Sequence, residues 1–436
     1  MISPETKVKV MLMSEDVFFV SNQNRYSKSI DVFKKNGVNI KNGEHLINEN
    51  EFKNLIKSEV SNFVNQSFDN IVILVGAGAS VTNNQFDLDD NGIATSGVTV
   101  AKIADDILKE LRDEKYTLSS GEELDVFKLE EVSKISQYNF FEKNVQTNEI
   151  LKDGQTLKSG FNLEDLLSNL FAYKKFVDKA NKEKINNTTN AILDIIKKST
   201  SYDYDENIFN HRGFLNVVSK LGKSENKINI VTTNYDTLLE DAAESMKATV
   251  FDGFSFSQTP QFDSTMFDWN LVKNVSNIKT HEIVYKQQVF NLLKIHGSLT
   301  WERSQSSDNI TRKRKDSVKF PVMVFPSSDK YAQSYEEPYF DLFTKFQELL
   351  KIPNTLFITT GFSFSDNHIS KMILSAIKTN DSLASLLTDF NIEPEEPNEN
   401  WKKLMKALHD HYQVAFLKAT MNGNLVDYLG AKPDEN

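Results

Sequence analysis

The sequence predicts an α/β fold with a Rossmann-like parallel sheet, and three features of the 436-residue chain indicate it. First, Ile71–Val75 is continuously apolar and rich in β-branched residues, as in a parallel strand covered on both faces. Second, a Gly-Ala-Gly-Ala-Ser turn follows directly, at residues 76–80. Third, the apolar runs Ile228–Thr232, Val289–Ile295 and Leu356–Thr360 also end in small or hydrogen-bonding residues. Because open parallel sheets bind ligands at the carboxyl ends of their strands, these four ends predict one site.

Composition narrows the possible classes of protein. The formal net charge of −11 argues against a general nucleic-acid or anionic-membrane surface. The chain has no cysteine, which excludes disulfides and a cysteine-based zinc site. No apolar run approaches the roughly 20 residues that span a bilayer, and Met1–Val20 contains acids but no small-residue cleavage site. We therefore expect a cytoplasmic protein.

Residues 1–65 precede the first motif strand and are predicted to be an N-terminal accessory segment. Val8–Met13 has the composition of a strand, and the apolar spacing of Glu51–Phe63 predicts an amphipathic helix. We expect the segment to pack as an extra layer of the same domain. A role in assembly is the alternative.

The turn at residues 76–80 has two interpretations. Gly76 and Gly78 lack a Cβ, so the backbone can turn sharply and lie close to a ligand. Backbone N–H groups in such a turn, ahead of a helix, suit a pyrophosphate. The third glycine of the dinucleotide fingerprint is absent, however, because Val81 occupies its position. Nucleotide binding and a tight structural turn therefore both stay open.

The segment after the turn is first polar and then helical. Thr82–Gly97 is expected to be a loop, and its DLDDNG stretch lacks the ligand pattern and closing glutamate of a calcium loop. Apolar residues at helical spacing predict helices over Val100–Leu111, Leu163–Phe171 and Ile185–Ile196. We expect residues 121–225 to form a helical insertion whose apolar stripes serve core or subunit contacts.

Polar residues follow the second and third motif strands. Asn234 and Asp236 suit helix capping, because either can accept hydrogen bonds from the first N–H groups of the next helix; a role at a ligand can coexist with this. A lone histidine such as His296 is usually a packed core residue. Its place at a strand end, with Gly297 leaving room beside it, favours a proton acceptor, since imidazole titrates near neutral pH.

The fourth strand end leads into a predicted helix that begins near Asp366, a suitable N-cap residue. His368 lies in the first turn of that helix and is a second-tier candidate for the site. Upstream, the basic run Arg312–Lys315 is expected to be a solvated hairpin tip, with an acidic partner or nucleic acid as the alternative. Glu337–Leu350 predicts an amphipathic helix with Phe340 among its inward-facing residues.

In this order, GAGAS at residues 76–80, TNYD at 233–236, HG at 296–297 and GFS at 361–363 resemble the motif set of the sirtuin family. TTNYD, KIHGS and GFSFSD are more narrowly similar to bacterial sirtuin-like NAD hydrolases of antiphage defence, including those that assemble with a HerA-type hexameric ATPase. The resemblance spans about Ile71 to Ser375, with a long intervening segment that carries none of the motifs.

The resemblance implies a domain plan. A sirtuin-like Rossmann core would comprise residues 66–120 and 226–390, interrupted by the helical insertion at 121–225 in place of the zinc module of typical deacylases. Residues 391–436 would be a C-terminal linker, helix and strand. NAD would be the substrate, and no metal would be needed.

The resemblance also implies residue roles. Asn234 would orient the ribose or an attacking water, His296 would be the general base, and Asp236 would accept a hydrogen bond from the nicotinamide carboxamide. The turn at 76–80 would hold the diphosphate, and Gly361 with Ser363 would approach the adenosine half. The implied cofactor-binding set is Gly76, Ala77, Gly78, Ser80, Thr233, Asp236, Gly297, Gly361, Ser363 and Asp366.

These roles predict an NAD⁺ hydrolase that acts as an antiphage effector by depleting NAD⁺. A homo-oligomer is expected, with a HerA-type ATPase as a possible partner and nucleic acid reached only through a partner or the local basic loop. The first alternative is an NAD-dependent protein deacylase. It is disfavoured because the chain lacks the zinc module of typical deacylases, and because the loop at 82–97 does not match the Arg-bearing motif that deacylating sirtuins hold near the ribose. The second is a non-catalytic module that senses NAD or ADP-ribose and drives assembly.

Overall fold

The computed structural model describes residues 15–30, 32–82, 100–135, 163–174, 176–223, 225–275, 283–304, 309–323 and 338–430. An eleven-stranded sheet runs through these residues. Its strands in chain order are β1 (Asp16–Val20), β2 (Arg25–Ser29), β3 (Val32–Lys35), β4 (Val38–Asn39), β5 (Asn70–Val75), β6 (Ile228–Thr232), β7 (Thr249–Phe251), β8 (Val289–Lys294), β9 (Thr355–Thr360), β10 (Leu383–Asp389) and β11 (Val414–Lys418).

The strand order across the sheet is β7-β8-β6-β5-β9-β10-β11-β1-β2-β3-β4. The seven strands from β7 to β11 in this order are parallel, and β1 to β4 continue the sheet antiparallel from the edge of β11. The three strands that follow β5 in the chain, β6 to β8, lie on one side of it, and the next strand, β9, lies on its other side. The switch point of the parallel sheet, where ligands of such folds bind, therefore lies between β5 and β9.

The described helices lie on both faces of the sheet and in a separate cluster. They are α1 (Glu49–Val64), α2 (Val100–Glu110), α3 (Leu129–Ile135), α4 (Leu163–Lys174), α5 (Lys182–Thr200), α6 (His211–Val218), α7 (Leu238–Ser245), α8 (Tyr339–Lys351), α9 (Asn367–Thr379), α10 (Glu399–His409) and α11 (Leu425–Leu429).

Two apolar cores sandwich the sheet. Helices α1, α6, α7 and α11 cover one face, where Ile71 and Ile73 of β5 point. Helices α8, α9 and α10 cover the other, where Val72 and Leu74 point. Every residue of β5 is buried, which explains why its sequence shows no alternation and confirms it as a central parallel strand.

A third apolar core joins α2, α4 and α5 to the antiparallel ribbon of Lys115–Thr117 with Glu123–Asp125. This third core includes Leu238, at the start of α7, and Tyr235 packs against the core. Through Leu238 the core reaches the sheet. The described part of residues 121–225 thus holds helices and one short strand, while α6 packs on the sheet itself. The proposed domain boundaries stay predictions.

Several predicted elements are present. Helix α1 confirms the amphipathic helix in the accessory segment, and the Asn48–Glu51 capping box fixes where it begins. Strands β6, β8 and β9 match the predicted motif strands within one residue. Val8–Met13 and almost all of the loop predicted at 82–97 lie outside the described residues.

Other expectations differ from the structure. The accessory segment lengthens the sheet with β1 to β4, and only α1 forms a layer on its face. Strand β10 was not anticipated; it is parallel to β9, and β11 follows it in the same sheet. Phe340, expected to face inward on α8, is about half exposed, whereas Phe346 and Leu350 are buried.

Candidate active site at the carboxyl ends of four strands

Four neighbouring strands end at the same height. Backbone pairing aligns Val75 of β5 with Thr232 of β6 on one side and with Thr360 of β9 on the other, and Lys294 of β8 with Thr232. The residues that follow these four positions therefore emerge side by side at one edge of the sheet. This register brings the four motifs together at one edge of the sheet, as the sequence predicts.

Ser80 links the glycine turn to the end of β6. Its hydroxyl donates to Oδ2 of Asp236 at 2.7 Å and accepts from the Asn234 amide nitrogen at 3.0 Å. Oδ1 of Asp236 accepts from the backbone N–H of Leu238 at 3.1 Å, which caps the start of α7. Asp236 therefore combines a capping contact with a contact to the glycine turn, as the sequence allowed.

The hydrogen bond to Ser80 sets the orientation of the Asn234 amide. Because Nδ2 donates to Ser80, Oδ1 points the other way, and this buried oxygen has no hydrogen-bond partner among the described residues. The side chain is only 8% exposed. A buried acceptor left without a donor costs free energy, so the position is suited to a hydroxyl or a water supplied by a ligand.

His296 leaves the end of β8 and faces the loop after β9. Its Nε2 lies 3.6 Å from Oδ2 of Asp366, and both side chains are more than nine-tenths buried. Oδ1 of Asp366 accepts from the N–H groups of His368 and Ile369 at 2.8 and 3.2 Å, which confirms it as the N-cap of α9. A carboxylate held in this way stabilises an imidazolium, so His296 can receive a proton here.

Gly76 and Gly78 are required because the backbone at residues 360–361 packs closely against them. The N–H groups of Gly76 and Gly78 donate to the carbonyls of Thr360 and Gly361 at 2.9 Å each. A Cβ on Gly76 would lie 2.5 Å from the Gly361 carbonyl oxygen, and a Cβ on Gly361, whose φ is +65°, would lie 2.1 Å from the Ala79 nitrogen. The close backbone approach that these glycines allow is therefore made between the ends of β5 and β9, at the switch point of the sheet.

The main-chain donors of the turn are largely engaged within the protein. Besides Gly76 and Gly78, the N–H groups of Ala79, Ser80 and Val81 donate to carbonyls of the same turn. Ala77 is the exposed residue of the turn. A diphosphate placed here would meet the surface at Ala77.

Gly297 also makes a close contact inside the protein. Its φ is +94°, and a Cβ there would lie 2.2 Å from the Val322 carbonyl oxygen and 3.1 Å from the Tyr339 hydroxyl. The space expected for a ligand beside His296 is filled on this side by the strand Val322–Met323, which pairs with Gly297–Ser298.

The remaining candidates lie around this centre. Thr233 is half-buried, and its N–H donates to the Val75 carbonyl at 3.1 Å. Ser363 is exposed and donates to Ser365. The His368 ring packs edge-on against Phe343, whose own ring lies 6.5 Å from that of His296.

Three residues near the site were not singled out from the sequence. Lys294 is buried and contacts Asp236 and Glu240. His211 is buried at the start of α6 with its Nδ1 unpaired among the described residues; burial lowers the pKa of this imidazole to about 4, with a partial offset from Asp236. Asn422 donates to the carbonyls of Ala79 and Val81 from behind the turn. Only Lys294 lies within a motif that could have drawn attention to it.

Two surface cavities formed by described residues lie away from this site. A cavity of about 520 Å³ borders α6 and the Met246–Lys247 turn, and a smaller one is lined by Ile228 and Val289. Ile228 and Val289 begin β6 and β8, so this smaller cavity lies at the amino end of the strands. Open parallel sheets bind ligands at the opposite edge.

Charges and metal ligands give further limits. Within the described ranges, no cluster of three or more His, Asp or Glu side chains is placed to hold a metal ion, and no helix is long and apolar enough to cross a membrane.

In the basic run, Arg312 pairs with Asp252, Lys313 with Glu302 and Lys315 with Asp203. The charges of these three cations are therefore matched inside the chain, while Arg314 is 87% exposed.

A family model described as a SIR2-like domain matches residues 228–413. The matched region begins with β6 and stops just before β11, so it includes Asn234, His296 and the loop after β9. The match supports a sirtuin-like fold and points to an NAD-dependent family of enzymes. No curated protein gives a significant match to the chain.

Proposed function

We propose that the chain hydrolyses NAD⁺ at the bond between nicotinamide and ribose, releasing nicotinamide and ADP-ribose. The SIR2-like match suggests NAD-related activity in general. The choice of hydrolysis rests on the motif resemblance and on one observation in particular, the unpaired Oδ1 of Asn234. An oriented acceptor beside the glycine turn, at the carboxyl edge of the sheet, is what a reaction with water as nucleophile requires.

In this reaction, water forms a bond to the anomeric carbon of the ribose as the bond to nicotinamide breaks. The electron pair of that bond goes to the pyridinium nitrogen, so nicotinamide leaves neutral, and the water loses one proton. Asn234 would accept a hydrogen bond from the water or from a ribose hydroxyl through Oδ1. His296 would take the proton, and Asp366 at 3.6 Å would stabilise the resulting imidazolium.

The other contacts fit the two halves of the dinucleotide. Each carboxylate oxygen of Asp236 accepts one hydrogen bond and keeps a second lone pair, so it can also accept from the carboxamide of nicotinamide. The diphosphate would lie against the exposed side of the turn at Ala77. Gly361 and Ser363 would border the adenosine half.

The decisive experiment is incubation of purified protein with NAD⁺, with and without an acetylated peptide, followed by chromatography of the products. We expect nicotinamide and ADP-ribose in equal amounts without peptide. The matched control is the Asn234→Ala protein, which should release neither. Nicotinamide release that requires the peptide, with transfer of its acetyl group to ADP-ribose, would instead establish the deacylase.

The non-catalytic alternative predicts binding without turnover. Calorimetric titration of ADP-ribose into the same preparation would then show binding while NAD⁺ stays intact. The presence of both an oriented amide at Asn234 and a carboxylate-paired His296 favours turnover.

We further propose that NAD⁺ depletion serves antiphage defence, in a homo-oligomer that can dock on a HerA-type ATPase. This rests on the similarity of TTNYD, KIHGS and GFSFSD to such effectors. Cellular NAD⁺ measured after phage infection, in bacteria carrying the wild-type chain or its Asn234→Ala variant, tests it. NAD⁺ should fall only with the wild-type chain, with the ATPase co-expressed if the chain alone is silent.

A further inference from the structure

We propose that Lys294 is a positioning residue that holds the turn between β6 and α7 in its reactive conformation. The inference rests on the proposed function, because that turn carries Asn234 and Asp236. Lys294 contacts neither NAD⁺ nor the reacting water in this proposal. It acts through the backbone of residue 236.

The burial of Lys294 calls for a reason. The side chain is 2% exposed, although lysine is almost never fully buried unless it is paired. Removing two charges from water is expensive, and replacing a buried ion pair with apolar residues is often neutral or stabilising. Stability alone therefore explains this lysine poorly.

Its contacts define what it does instead. Lys294 is the last residue of β8 and lies beside Thr232, the last residue of β6. From there its ammonium group donates to the backbone carbonyl of Asp236 and to Oε1 of Glu240, the latter at 2.8 Å. Glu240 belongs to the first turn of α7. The lysine side chain thus joins the third motif strand to the end of the 233–237 turn and to the first turn of α7.

The rest of the turn is fixed from the other side. The N–H of Thr233 donates to Val75 of β5, that of Asn234 donates to Oγ1 of Thr232, and Ser80 holds the two site side chains. Lys294 supplies the complementary attachment on the β8 side. Because His296 is two residues further along the same chain, this attachment also fixes the turn relative to the proposed base.

The test separates positioning from stability. Lys294→Met alone leaves the partly buried Glu240 without its cation, and burial already raises the pKa of that carboxyl despite the lysine. The double variant Lys294→Met with Glu240→Gln removes both charges and keeps the side-chain volume. We expect its melting temperature to lie within about 3 °C of wild type.

Two readouts are measured on the double variant. Amide hydrogen exchange followed by mass spectrometry should become faster in the peptide that covers residues 233–238, and kcat/KM for nicotinamide release should fall by at least about tenfold. The matched control is Lys315→Met, because Lys315 also donates to a backbone carbonyl and a carboxylate, those of Tyr202 and Asp203. It should leave both readouts at wild-type values.

Each outcome bears on one of the two proposals. Unchanged exchange in residues 233–238, or faster exchange with wild-type kcat/KM, overturns the assignment of Lys294. Faster exchange in a protein whose wild-type form releases no nicotinamide under any condition supports the structural attachment and rejects the hydrolase.

Discussion

Asn234 is the residue whose chemical role is most easily separated from folding. Asn234→Ala removes both the bond to Ser80 and the unpaired Oδ1, so we expect NAD⁺ cleavage to fall by at least about 100-fold, as for other lost proton-transfer or water-orienting groups. The measurement is kcat from initial rates of nicotinamide release, with the melting temperature checked in parallel.

Asn229→Ala is the matched control. Asn229 is also a buried amide and lies on β6, the strand that leads to Asn234, but it bonds to Asn70 at the amino end of β5. Its loss should lower the melting temperature and leave kcat unchanged. Wild-type turnover by Asn234→Ala would reject the role assigned to Asn234.

Asp366 combines two roles that single substitutions can divide. Asp366→Asn keeps an oxygen for the N–H groups of His368 and Ile369 but removes the charge next to His296. We expect Asn to preserve stability and to lower kcat, whereas Ala should also cost about 1 kcal/mol of unfolding free energy. Urea unfolding and initial rates on both variants provide the comparison. Equal rates for wild type and Asp366→Asn would show that the charge is unused.

His211 predicts how stability changes with pH. Its pKa of about 4 in the folded protein is below the ordinary value of 6.5, so below pH 6.5 the unfolded chain binds more protons. The effect is absent above pH 6.5 and grows as pH falls to 4. At pH 5 it amounts to about 2 kcal/mol of lost unfolding free energy.

The measurement is urea unfolding at pH 7 and pH 5 for wild type and His211→Leu. The variant should lose about 2 kcal/mol less than wild type between the two pH values, since other titrating groups are common to both. Identical losses would mean that folding does not lower the pKa of His211.

At the residue scale, sequence reasoning found the groups that follow strand ends and missed those defined by burial. Asp366 and Asp236 were recognised as caps because a carboxylate ahead of an apolar helix is a local pattern. Nothing local shows that Lys294 or His211 is buried, because burial is decided by the helices that pack on them from elsewhere in the chain.

At the scale of elements, the contact between the glycine turn and the end of β9 predicts a large effect of one methyl group. Gly361→Ala combines a positive φ with a Cβ 2.1 Å from the Ala79 nitrogen. We expect a loss of about 3 kcal/mol or more of unfolding free energy, from backbone strain and overpacking together.

Gly37→Ala isolates the conformational part of that loss. Gly37 has a φ of +80° in a surface turn, and nothing lies within 4 Å of a Cβ built there. It should lose only about 1 kcal/mol in the same urea titration. Equal losses in the two variants would mean that the turn and β9 can separate to admit a side chain.

Elements with an apolar run and a polar end were predictable, and β10 was not. Its sequence, Leu383–Asp389, is dominated by Leu, Ala and Ser and has no Val or Ile. Local propensity therefore favours a helix as much as a strand. Burial between β9 and β11 decides the matter, and only the assembled sheet supplies that.

At the scale of the whole molecule, the sheet makes the N-terminal strands part of the same folding unit as the site. Phe19 of β1 is buried in the first core, and its strand pairs with β11. We expect Phe19→Ala to lower the unfolding free energy by about 3 to 5 kcal/mol in a single transition. Fluorescence of Trp401, in the second core, and far-ultraviolet circular dichroism should report the same midpoint.

Val38→Ala serves as the control because Val38, in β4, is 70% exposed. Its effect should stay within about 0.5 kcal/mol. Separate midpoints for the two probes in Phe19→Ala would instead show that the antiparallel strands unfold independently.

The α/β class of the fold was predictable from the sequence because the parallel strands are apolar runs that end in polar residues. The antiparallel extension was not, because Arg25–Ser29 and Val32–Lys35 are short, polar and only partly buried. They pair with β1 and with each other, and β1 in turn needs the edge of β11, a strand formed by distant residues of the chain.

The main-chain bonds from Gly76 and Gly78 to Thr360 and Gly361 join an early part of the polypeptide to a late one. A ribosome-bound fragment that has not yet reached residue 361 lacks the strand end to which the glycine turn is bonded. If the chain hydrolyses NAD⁺ as we propose, a translation product that stops before residue 361 lacks this contact and should be inactive.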